Sequence, residues 1–112
     1  MAILNADYTN INYEEMAASI GLKAKHMPML TASFLEESMP AIGEINKSIV
    51  SNNLESISQK AHAIKGSAGN LRFNEVYEMA KDMELAAKEK AKDFDYAGHL
   101  AAIKKAIETI PQ

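Results

Sequence analysis

Apolar residues that recur at alternating steps of three and four constrain this chain most strongly, because that spacing places them on one face of an α-helix. The pattern is clearest between residues 54 and 71, where its members are Leu54, Ile57, Ala61, Ile64, Ala68 and Leu71. A second face of the same helix, roughly 115° away at 100° per residue, carries His62, Lys65, Gly66 and Gly69. The histidine is therefore expected to face solvent or a partner, with the lysine one turn further on.

The composition favours a single domain built from helices. A chain of 112 residues is large enough for one modest core, and 6% aromatic residues with seven methionines favour an aliphatic one. A net charge of −3 gives no reason to expect a nucleic acid partner, and the lack of cysteine excludes disulfides and thiolate catalysis. No signal-peptide pattern or membrane-length apolar run is present, so we expect a cytoplasmic protein without membrane contacts.

The helical spacing recurs along the chain and predicts helices at about residues 12–20, 28–50, 53–71, 74–91 and 95–110. The first would be short, opened by Asn12 with Glu15 and closed at Gly21, and residues 1–10 would be a loose arm. Short connections make the other four helices antiparallel to their neighbours. The predicted fold is all-α, an antiparallel up-down-up-down four-helix bundle with a short extra N-terminal helix.

Several residues mark where the longer helices begin or bend. Pro40 lies inside the second one and removes a backbone hydrogen bond, so we expect a kink there. Two helices broken at Met39 are the alternative. The side chains expected to cap the next three helices are Asn52 with Glu55, then Asn74, then Asp93 or Asp95.

One stretch of the third helix resembles the signature of histidine-containing phosphotransfer (HPt) domains, commonly His-x-hydrophobic-Lys-Gly-Ser-small: it is His62-Ala63-Ile64-Lys65-Gly66-Ser67-Ala68. These domains are the intermediates of multistep His–Asp phosphorelays. The resemblance extends to a Phe-Leu-Glu-Glu segment at 34–37 and to the helical segments that follow the motif. It departs at Arg72, where the family often has glycine.

The resemblance implies that His62 accepts a phosphoryl group, through Nε2, from the phosphoaspartate of a response-regulator receiver domain and passes it to another receiver. Lys65 would compensate the charge of the phosphoryl oxygens, and would contribute little to folding because it projects beside the ring. Magnesium is expected on the receiver, so this chain would need no cofactor or metal site. Without a nucleotide-binding glycine motif it would not phosphorylate itself from ATP. We expect a monomer, with a hybrid sensor histidine kinase as a further candidate partner.

A docking surface for the receiver is expected around the histidine. Antiparallel pairing across the turn at 51–53 would place His62 level with Ile42 on the preceding helix. The expected docking residues are Gly66, Gly69, Ser58, Met39 and Ala41.

Three other interpretations compete with this one. A metal site could use His26, His62 and His99, but these lie on separate segments without the usual ligand spacing. Histidine-kinase dimerisation helices usually have an acidic residue directly after the histidine, where this chain has Ala63. A scaffold that binds receivers or other helices without carrying phosphate stays open. The Met-Ala start and Pro-Gln end fit a free-standing protein, although a domain of a larger hybrid kinase stays open too.

Overall fold

The computed structural model describes residues 4–111, and within that range it is all-helical, without strands. The all-α class and the presence of five α-helices are confirmed, and a 3₁₀ helix at Ala24–His26 precedes the second of them. The main difference in bounds is that the fourth helix ends at residue 88 rather than 91. The helices are α1 Tyr13–Ser19, α2 Met27–Val50, α3 Leu54–Asn70, α4 Asn74–Lys88 and α5 Tyr96–Glu108.

Helix α2 continues through Pro40 as a single helix of 24 residues. The alternative of two helices broken at Met39 is therefore wrong, while the kink at Pro40 stays a prediction. A long unbroken α2 matters for the site because it gives α3 a full-length partner to pack against.

Two of the expected N-caps form as the sequence predicts. The Asn12 side chain accepts a hydrogen bond from the Glu15 N–H at the start of α1, and Asp95 accepts one from the Gly98 N–H at the start of α5. Both satisfy a backbone donor that the first turn of a helix leaves unpaired.

The other two expected N-caps are wrong by one residue. Asn53, rather than Asn52, caps α3 by accepting from the Ser56 N–H at 3.1 Å, because Asn52 is needed in the left-handed turn that ends α2. Phe73 is the capping residue of α4, and it makes no side-chain cap; Asn74 is the first helical residue.

Arg72 adopts the left-handed conformation that glycine would favour. Its φ is +63°, its N–H donates to the Gly69 carbonyl at 3.2 Å, and the Phe73 N–H donates to the Ala68 carbonyl at 2.9 Å. This pair of hydrogen bonds is a Schellman motif, which satisfies the last carbonyls of α3. Helices α1, α2 and α4 end with the same pair of bonds, at the positive-φ residues Gly21, Asn52 and Lys90.

The predicted apolar stripes face one another in a common core. Helix α3 packs against both α2 and α4, and α5 packs against α2 and α4. The largest fully buried apolar side chains are Phe73, Met27, Ile45, Ile57, Ile64, Met79, Met83, Ile103 and Ile107.

Hydrogen bonds between α2 and α3 fix the register of this antiparallel pair. Each bond joins two residues that lie at equal distances before and after residue 52 in the sequence. The distance is four residues for one bond and fifteen residues for the other. His62 is therefore level with Ile42, as the turn predicted. The two bonds are Ser48 Oγ to Ser56 Oγ at 2.8 Å and Ser67 Oγ to Glu37 Oε2 at 3.3 Å.

The N-terminal arm is held against the helices at Tyr8, so the expectation of a loose arm is wrong there; residues 1–3 lie outside the described range. The Tyr8 hydroxyl donates to Glu75 Oε1 at 2.9 Å and accepts from the Val76 N–H at 3.2 Å. Its N–H donates to Thr109 Oγ1 at 2.7 Å, and its ring packs edge-on against Phe73. The arm thus joins the start of α4 to the end of α5.

We predict that Arg72→Gly stabilises the protein by about 0.5–1 kcal/mol. Glycine adopts positive φ without the steric cost that a Cβ brings, and this gain is partly offset because glycine has more conformational freedom in the unfolded chain. Urea unfolding measures the change. Arg72→Ala is the matched control, since it removes the charge but keeps the Cβ, and it should give no gain. Equal stabilisation by both variants would mean that the charge, rather than the backbone, opposes folding.

Candidate functional site

His62 lies on the exposed side of α3, as its helical phase predicts. Its side chain is 66% exposed. The ring is nevertheless held at one edge, because Nδ1 lies 2.7 Å from Oε2 of Glu84 on α4. One ring nitrogen is thus engaged with the protein, and the exposure of the side chain leaves Nε2 as the nitrogen that a partner can reach.

Glu84 is a buried carboxylate at the junction of α3 and α4. Its side chain is 2% exposed, and its two oxygens lie within ion-pair distance of nitrogen atoms from three side chains. Lys65 Nζ lies 2.7 Å from Oε1, while Lys88 Nζ lies 3.2 Å from Oε2, the same oxygen that contacts His62. Burial of an unpaired charge is strongly unfavourable, so these contacts are what allow a carboxylate at this position.

The charge state of Glu84 determines which way the histidine hydrogen bond runs. Burial alone raises the pKa of this carboxyl, but hydrogen bonds from Lys65, Lys88 and His62 together outweigh it and lower the pKa to about 2. Glu84 is therefore ionised at neutral pH and has no proton to donate. His62 must donate from Nδ1, which leaves the lone pair of the neutral ring on Nε2.

Lys65 is held inward by this carboxylate. Its side chain is only 23% exposed, and the hydrogen bond to Glu84 raises the pKa of its ammonium group. The expectation that Lys65 projects freely beside the ring is wrong, because the register of α3 against α4 brings a buried anion within its reach. Its removal would leave that anion with one fewer cation, so we expect Lys65 to contribute to folding after all.

The two glycines of the motif face different surroundings. A Cβ at Gly69 would lie 3.2 Å from Cδ2 of Tyr77, so this glycine lets α3 and α4 approach closely. A Cβ at Gly66 would meet nothing within 4 Å, and Gly66 is exposed. Gly69 thus supports the packing that positions Glu84, whereas Gly66 leaves open space on the exposed face beside the histidine.

The structure does not gather the other expected docking residues into one patch around His62. Met39 lines a groove between α2 and α5, and Ala41 lines a different groove between α2 and α3, together with Ala63. Ser58, one turn before His62, is buried and presents little surface to a partner. Their roles in docking stay predictions.

Sequence reasoning missed Glu84 and Lys88, which lie on a different helix from the motif. The signal for Glu84 was its position: it follows Ala80 by four residues, in phase with the buried stripe of α4 that runs through Met83 and Ala87. A carboxylate at a core position of an amphipathic helix requires partners, and a lysine four residues later is one of them.

The remaining histidines lie apart from the site. His26 belongs to the 3₁₀ helix, while the ring of His99 lies 4.4 Å from that of Phe94. Between residues 4 and 111 no group of three or more His, Cys, Asp or Glu side chains could hold a metal ion. In the same range, no helix has the length and apolar character that crossing a membrane requires.

The motif and the helices around it match a known protein family. The sequence model of the Hpt domain matches residues 29–112, which is three quarters of the chain and includes α2 from its third residue onward and all of α3, α4 and α5. No curated protein and no solved structure matches the chain significantly.

We predict that Glu84 makes folding sensitive to acid. Its pKa in the folded protein, about 2, lies below the ordinary value of 4.5, so its contribution is complete above about pH 4.5 and is lost as the pH falls toward 2. Across this window the free energy of unfolding of the unmodified protein should fall by up to about 3 kcal/mol more than that of Glu84→Gln.

Urea unfolding at pH 5, 4, 3 and 2 measures this difference. Glu78→Gln, which changes an exposed glutamate on the same helix, is the matched control and should follow the unmodified protein. Parallel pH profiles for the unmodified protein and Glu84→Gln would contradict the ionised state assigned to Glu84.

Proposed function

Because the chain belongs to the Hpt domain family, whose members are histidine phosphotransfer modules of phosphorelays without kinase activity, we propose that His62 is the residue that carries the phosphoryl group. The observation that carries this proposal is the hydrogen bond from Nδ1 to the buried carboxylate of Glu84. It keeps the lone pair on the exposed nitrogen, Nε2, which is what a nucleophile needs.

Phosphoryl transfer to His62 then needs no general base. The Nε2 lone pair attacks phosphorus, the bond from phosphorus to the aspartyl oxygen of a receiver breaks, and the electron pair of that bond leaves with the carboxylate. The proton on Nδ1 stays in place. Such transfers depend mainly on in-line positioning and charge compensation, and the exposed ring edge offers the access that in-line attack requires.

Glu84 acts again once phosphorus is bonded to Nε2. A ring that keeps its Nδ1 proton and gains a bond at Nε2 becomes an imidazolium, and the adjacent carboxylate stabilises that positive charge, as the aspartate does in a Ser-His-Asp triad. A protonated ring is also the better leaving group when the aspartate of a second receiver attacks phosphorus. The same hydrogen bond therefore supports transfer in both directions.

The receiver domains with which Hpt domains interact would supply the other groups that phosphoryl transfer needs. In this proposal magnesium is bound by the receiver, ATP is used only by an upstream kinase such as a hybrid sensor kinase, and this chain acts as a cytoplasmic monomer. Helices α2 to α5 would form an antiparallel four-helix bundle within a single domain. Each of these helices packs against the next one in the chain, and α5 packs back against α2, which supports that arrangement.

The receiver would approach over the exposed edge of His62. Gly66 supports this direction, since it leaves open space one turn after the histidine. Lys65, to which the motif assigns charge compensation, and Lys88 both place an ammonium group near the ring through Glu84. Positive charge beside the acceptor would favour the developing phosphoryl anion.

We predict that His62→Gln abolishes phosphorylation. The variant is mixed with a receiver domain labelled on its aspartate with ³²P, and label on the HPt chain is followed by gel electrophoresis at neutral pH. His26→Gln and His99→Gln are the controls, and both should be labelled like the unmodified protein. Label on His62→Gln would assign the acceptor to another residue, and no label on any variant would favour the scaffold interpretation.

A further inference from the structure

The groups around His62 carry more positive than negative charge. The ionised carboxylate of Glu84 is in contact with two ammonium groups, those of Lys65 and Lys88. With the imidazole neutral, this cluster has one positive charge in excess. A phosphoryl group on the ring brings negative charge to the same place, so one of the two lysines can compensate it without leaving the buried carboxylate uncompensated.

The two lysines are bound differently to the carboxylate. Lys65 lies 2.7 Å from Oε1 and is mostly covered, whereas Lys88 lies 3.2 Å from Oε2 and its side chain is 60% exposed. Among the described residues, Lys65 is the one cation paired with Oε1, since His62 and Lys88 both lie on Oε2. Movement of Lys65 would therefore leave a buried acceptor without its partner, which is unfavourable. Movement of Lys88 would leave Oε2 bonded to the Nδ1 proton of His62.

Lys88 is also close to the ring. It shares Oε2 with Nδ1 of His62, and the two distances, 3.2 Å and 2.7 Å, together bound the separation of Nζ and Nδ1 at 5.9 Å. A lysine has a flexible four-carbon chain and three rotatable donors, so a small rotation moves its ammonium group while the backbone stays in place. Because most of its side chain is exposed, little packing opposes this rotation.

We propose that Lys88 moves from Glu84 to the phosphoryl oxygens on His62 and is the charge-compensating residue of this protein, while Lys65 is a positioning residue that holds Glu84. This inference rests on the proposed function. It transfers a role from the lysine of the signature to one on a neighbouring helix, 26 positions after the histidine.

The test measures the pKa of the phosphoryl group itself. The protein, with His26→Gln and His99→Gln to leave one histidine, is phosphorylated with phosphoramidate, and the ³¹P resonance of the phosphohistidine is titrated from about pH 4.5 to 8, a range that includes the ordinary second pKa of a phosphoryl group, about 6. An ammonium group in contact with the phosphoryl oxygens, about 3 Å away in a dielectric of about 80, lowers the phosphoryl pKa by about one unit. Lys88→Met should therefore raise it by about that amount, and Lys88→Arg should restore it.

Two further variants make the comparison specific. Lys65→Met should raise the phosphoryl pKa much less than Lys88→Met does, because Lys65 stays on Oε1 at a greater distance, and it should lower stability. Lys105→Met removes the same charge from α5, which has no extensive contact with α3, and should change neither. If Lys65→Met does not fold, the Lys88→Met and Lys88→Arg pair still decides the question.

A phosphoryl pKa that shifts as much in Lys65→Met as in Lys88→Met, or that is the same in Lys88→Met as in the unmodified protein, would overturn the proposal. Because phosphoramidate supplies the phosphoryl group chemically, this result is independent of any receiver. Failure of transfer from a receiver would count against the proposed function alone.

Discussion

The buried carboxylate of Glu84 is the group on which the site depends. It pairs with Lys65 of α3, which joins α3 to α4, and with Lys88 one turn later on α4. It also orients the ring of His62. A buried ion cluster contributes little net stability compared with apolar packing, because desolvation offsets the attraction between its charges. Its consequence here is chemical: an anion that cannot donate a proton obliges Nδ1 of the histidine to do so.

The surrounding fold brings that carboxylate to the histidine. Gly69 lets Tyr77 approach α3 closely, and the register that this contact sets continues along the helices to Glu84 and His62. On the side of α3 that faces α2, two hydrogen bonds between these helices hold the register of α2 against α3. At the start of α4, Tyr8 of the N-terminal arm connects that helix to the end of α5. The motif therefore lies on a helix that is held from both sides.

The sequence predicted most of what depends on helical periodicity within one segment. The apolar spacing identified the five helices and the buried faces, and the phase of His62 predicted its exposure. It did not predict Glu84 as a partner of the histidine, because that contact depends on how α3 and α4 pack, which spacing within either helix does not encode. The left-handed conformation that ends α3 was not predicted for another reason: Arg72 adopts it although it is not glycine, the residue type that indicates positive φ in a sequence. The contacts of Tyr8 were not predicted because they depend on one residue outside any helix, where no periodic spacing indicates packing.

The central claim is that Glu84 holds His62 with its proton on Nδ1 and its lone pair on Nε2. Nitrogen-15 NMR of the imidazole, at a pH where the ring is neutral, distinguishes the two tautomers by the chemical shift of each ring nitrogen. The account predicts a protonated Nδ1 and an unprotonated Nε2 in the unmodified protein, and loss of that preference in Glu84→Ala. A neutral ring with its proton on Nε2, or the same tautomer ratio in both proteins, would contradict it.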